Sequence, residues 1–69
     1  MNADQLLLAG GRLLGHVGVQ QRPVIELNGQ LYEKAIEMDD GLDHSEMYEV
    51  PEDRAAFLRR LLASSEGSL

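Results

Sequence analysis

Five residues near the middle of the chain, Asp39, Asp40, Asp43, His44 and Glu46, are of the types that hold metal ions or move protons. A calcium loop of the EF-hand kind places acids at positions 1, 3 and 5, Gly at 6 and Glu at 12. Here Gly41 follows directly on Asp40, and the alternation is missing. Zinc asks for more His or Cys than His16, His44 and a Cys-free chain supply. Nucleophilic catalysis needs a hydroxyl or thiol within reach of an oriented base. Ser45 is adjacent to His44, and neighbours in sequence point apart; the remaining serines sit at the C-terminal end. Carboxylates are plentiful, but a 69-residue chain has little room to bury one and shift its pKa. The glycines of Gly10-Gly11-Arg12-Leu13-Leu14-Gly15 match neither nucleotide-loop spacing. The expectation is no enzymatic activity, no metal and no cofactor.

The acids carry more meaning as a distribution. Residues 1–32 are neutral, with Asp4 and Glu26 against Arg12 and Arg22. Residues 33–53 hold nine acids against Lys34 alone, a local charge of −8, and residues 54–69 are mildly basic at +2. Phosphates would be repelled by the middle segment, so direct nucleic-acid binding is not expected. A surface of this kind attracts a basic one over long range. Glu33, Glu37, Asp39, Asp40, Asp43, Glu46 and Glu49 are therefore the candidate partner-binding residues. The competing reading is a solvated face that keeps a small protein soluble.

The elements that must position these acids are read from periodicity. Residues 3–16 read as an amphipathic helix capped by Asn2 or Asp4, with Gly10 and Gly11 as a defect in its interior. Val24-Ile25-Glu26-Leu27, Asn28-Gly29 and the run from Gln30 read as a hairpin, because a type I′ turn needs two positive-φ residues. A helix over 28–38 capped by Asn28 competes for the same residues. Residues 39–45 read as an acidic loop, and Met47–Val50 as a short strand or irregular approach. Residues 51–64 read as a helix, with Pro51 at its start and Glu52 and Asp53 in its first turn.

These elements predict an α+β fold of a single small domain, residues 1–69, ordered helix, β-hairpin, acidic loop, helix, with residues 1–2 and 65–69 frayed. Both helices are expected on one face of the hairpin. The expected core is Leu6, Leu13, Ile25, Tyr32, Ile36, Phe57, Leu58 and Leu61. The apolar run Leu6–Gly11 is too short for a membrane span and lacks the basic flank of a signal peptide, so a cytoplasmic location is expected. The apolar residues exceed what one thin core covers, which favours a homodimer.

The functional expectation is a small acidic inhibitor or modulator that binds a partner protein's basic surface, such as one that holds nucleic acid. The device is similar to that of small inhibitors from phages and mobile elements. The alternative is an assembly or connector subunit binding through apolar surface, since the helix–hairpin–helix order resembles that of small phage head–tail joining proteins.

Overall fold

The computed structural model describes residues 1–67. In chain order it contains α1 (Ala3–Leu8), β1 (Arg12–Val17), β2 (Arg22–Leu27), β3 (Gln30–Lys34), β4 (Met47–Glu49) and α2 (Glu52–Gly67). The strands form one antiparallel sheet in the order β1-β2-β3-β4. The class is α+β, with two helices and a four-stranded sheet. The last two residues of the expected tail, 68–69, lie outside the described residues, and no described helix is long and apolar enough to cross a membrane.

The first expected helix is half as long as its leucine spacing suggests. Asn2 caps it: its side chain accepts the Gln5 N–H at 2.9 Å, while the Gln5 side chain accepts the Asn2 N–H at 2.8 Å. This reciprocal pair satisfies two N–H groups that the helix itself leaves free. The helix stops at the two glycines. Gly10 takes φ +103°, its N–H donates to the Leu7 carbonyl at 3.1 Å, and the Gly11 N–H donates to the Leu6 carbonyl at 2.8 Å. This is the Schellman arrangement, in which a positive-φ residue just past the helix lets the chain return to the last carbonyls. Gly10-Gly11 is thus a termination signal, and residues 12–17 become a strand.

The hairpin forms in the expected register. Asn28 and Gly29 have φ of +52° and +82°, and Leu27 faces Gln30, Glu26 faces Leu31 and Ile25 faces Tyr32. The helix over 28–38 does not form. Sheet pairing on both sides of β3 satisfies its backbone, which local helix propensity cannot outweigh.

Successive strand residues point to opposite faces, and here both faces are covered. Val24 and Leu31 pack with Val17, Val50 and Leu58 beneath α2, while Ile25 packs with Leu6 and Met47 beneath α1. The helices therefore lie on opposite faces of the sheet, contrary to the one-faced packing expected. The core changes accordingly. Leu6, Ile25 and Leu58 are buried as expected and Tyr32 is partly buried, but Leu13, Ile36, Phe57 and Leu61 are exposed. Val17, Val24, Leu31, Met47 and Val50 are buried instead.

Candidate functional site

The candidate surface is the long connection from β3 to β4, together with β4 and the first turn of α2. Its start is fixed by Gln20, whose side-chain amide donates to the Glu37 carbonyl at 3.0 Å and accepts the Glu37 N–H at 2.7 Å. Those two bonds supply what a neighbouring strand would. Lys34 adds an ion pair to Glu37 at 3.2 Å.

Beyond Glu37 the loop is held by its own acids. Asp40 accepts the Leu42 N–H at 3.0 Å and meets His44 Nε2 at 2.9 Å. These two contacts, the Leu42 amide first, hold the Asp40 carboxyl below its ordinary pKa. Asp43 is depressed likewise, by the Ser45 hydroxyl and then the Ser45 N–H, which it accepts at 3.0 Å. Glu46 takes the N-terminal ammonium at 2.6 Å, and Met1 carbonyl accepts the Met47 N–H at 2.8 Å. Met1 and Asn2 are thereby laid along the outer side of β4. His44 and Asp40 form an acid–imidazole pair, and with the bond from the Ser45 N–H to Asp43 it braces the loop.

The seven candidate residues separate into two groups. Glu33 shares the α2 face with Leu31, two residues before it. There it accepts two bonds from Arg54, Nε at 2.8 Å and Nη2 at 3.0 Å, and lies 3.6 Å from Arg22 Nη1. The pairing raises the Arg54 pKa above its ordinary value. Arg22 Nη1 also donates to the Lys34 carbonyl at 2.8 Å. Glu33 is therefore the anion of a partly buried Arg–Glu–Arg cluster tying α2 to the sheet. Glu37, Asp39, Asp40, Asp43, Glu46 and Glu49 are exposed along one ribbon.

Five of the six Lys and Arg side chains are engaged with carboxylates outside the Asp39–Asp53 stretch. Arg12 and Arg59 converge on Glu26 at 3.3 and 2.7 Å, with Arg59 chiefly responsible for the lowered Glu26 pKa. Arg22 and Arg54 take Glu33, and Lys34 takes Glu37. From Asp39 to Asp53 the sequence has seven carboxylates and no Lys or Arg. Composition overlooks one part of this ribbon: Ile36, Met38, Leu42 and Tyr48 are also exposed there. Their interleaving with Glu37, Asp39, Asp43 and Glu49 is the sequence signal that could have marked them.

No group of three or more His, Cys, Asp or Glu side chains is arranged to hold a metal ion among the described residues. Comparison with protein-family models, curated proteins and solved structures finds no match.

Proposed function

We propose that this chain is a non-enzymatic binding module that modulates a partner protein by docking its basic surface on the ribbon from Ile36 to Asp53. The observation that carries this reading is the charge segregation. Five cations fold back onto Glu26, Glu33 and Glu37, and of the seven carboxylates from Asp39 to Asp53 none meets a Lys or Arg side chain among the described residues, Glu46 alone taking the N-terminal ammonium. Exposed Ile36, Met38, Leu42 and Tyr48 add apolar area that a purely solubilising face does not need. A groove that normally receives nucleic acid has the matching charge.

The experiment is capture of a partner from host lysate, followed by direct binding at low salt and above physiological salt. Charge-led docking slows in association and weakens as salt rises. The decisive variant is Asp39→Lys with Glu49→Lys, because neither side chain has an internal hydrogen bond or ion pair among the described residues. It should abolish capture while leaving the fold intact. Normal binding by this variant would overturn the proposal. A second reading, a connector subunit that docks through apolar surface, is favoured by the exposed leucines of α1 and β1.

A further inference from the structure

The sheet has two edges, and they are protected very differently. β4 is only three residues long, Met1–Asn2 lies along it, and it carries Glu46 just before its start and Glu49 at its end. Shortening, covering and charging are the usual means of keeping an edge from pairing with another chain. β1 is six residues long, with no Pro, Lys or carboxylate, and none of the described residues pairs with its outer side. Its blunting devices are the bulge between Leu13 and Gly15 and the single charged residue Arg12 at its start, which pairs with Glu26 of the neighbouring strand. That bulge turns Leu14 onto the core beneath α2 and puts no charge on the edge.

Apolar surface borders this edge on both sides. On the α1 face Leu13 is 46% exposed, and Leu7 and Leu8 lie on α1 just before the strand, Leu8 at 89%. On the α2 face a groove of about 390 Å³ runs between β1 and the helix, lined by Leu13, Leu14, Leu62 and Ala63 with Arg12 and Arg59.

We infer that β1 is a self-association edge, at which a second copy of this chain pairs antiparallel to extend the sheet to eight strands. Charge selects this edge over the other. Meeting at β4 would set seven carboxylates of one copy against seven of its partner. With strands about 4.8 Å apart, meeting at β1 holds the two acidic ribbons roughly 30 Å apart, several times the Debye length of about 8 Å. A head-to-tail arrangement would require Met1–Asn2 to leave β4. The strand is about 20 Å long and the molecule 22 Å across its thinnest dimension. That end face lies at the low end of specific interfaces, so the association is expected to be concentration-dependent. The resulting dimer presents one acidic ribbon at each end.

Sedimentation equilibrium from about 1 μM to about 1 mM tests this. The weight-average mass should climb from 7.6 kDa towards twice that value. Association should tighten as salt screens the repulsion between two chains of charge −6. That sign is opposite to the one expected for partner docking, so failure of either idea is separable from failure of the other. Leu13→Lys and Leu8→Lys should each weaken association tenfold or more, and the exposure of Leu8 makes its variant safe for folding. Asp39→Lys with Glu49→Lys should dimerise at least as well as the wild type. A constant 7.6 kDa, or undiminished association by both leucine variants, would overturn the inference.

Discussion

Replacing Glu33 with Gln removes one negative charge from between two arginines and changes little else in size. The Glu33 and Arg22 side chains are 16% and 14% exposed, while Arg54 is 41% exposed. Charge-assisted hydrogen bonds are worth about 1.5–3 kcal/mol and neutral ones about 0.5–1.5 kcal/mol. The substituted amide could still accept from Arg54 through its carbonyl oxygen, but its nitrogen cannot accept the second bond. Arg22 would be left largely buried without an anion. Breaking a fully buried pair costs about 3–5 kcal/mol; the exposure of Arg54 lets water recover part of that. The expected loss is about 2 kcal/mol, which for a domain of this size lowers Tm by about 8–16 °C. Thermal unfolding followed by circular dichroism measures it, with Glu49→Gln as the exposed control expected to melt like wild type. A double-mutant cycle with Arg54→Met should return a coupling of about 1–2 kcal/mol. If Glu33→Gln melts within about 3 °C of wild type, or the two changes are additive, the cluster does not tie α2 to the sheet.

Gly11→Ala would place a Cβ 2.6 Å from the Leu6 carbonyl oxygen and 2.9 Å from Ile25 Cγ2. Forcing α1 off the sheet should cost about 1–3 kcal/mol and show as a lower urea midpoint; an unchanged midpoint would contradict the Schellman junction. Leu58→Ala should cost about 2–5 kcal/mol because Leu58 is 1% exposed. Phe57→Ala should cost less than about 1 kcal/mol because Phe57 is 56% exposed, and the reverse order in denaturant titrations would place α2 on its other face. Asp40, Asp43 and Glu26 have depressed folded-state pKa values, so they stabilise the fold above their ordinary range. That contribution is lost as pH falls through the depressed values, so Tm should decline from about pH 5 downward. Asp40→Asn should flatten that decline and speed amide exchange at Leu42; a Tm profile as steep as wild type would argue against the loop bonds.

Short-range signals in the sequence determined the pieces whose causes are local. Asn28-Gly29 sets a type I′ turn by backbone sterics alone, and that turn fixes the Ile25–Tyr32 register. Pro51, Glu52 and Asp53 mark the start of the second helix because the helix dipole and its free N–H groups act within one turn. The acidic run was likewise visible as composition. The Leu6-to-Leu14 spacing misled because a seven-residue apolar repeat fits either one helix or a helix followed by a strand. Only the contact of Gly11 with Leu6 and Ile25 shows why the chain turns there. Tertiary structure also decided which acids remain available. Strand parity puts Glu33 on the α2 face beside Leu31, but nothing local announces that Arg54, 21 residues later, will be there to meet it. Ion pairing depends on which faces the sheet and helices bring together, and that geometry is set by burying Val24 on one side and Ile25 on the other.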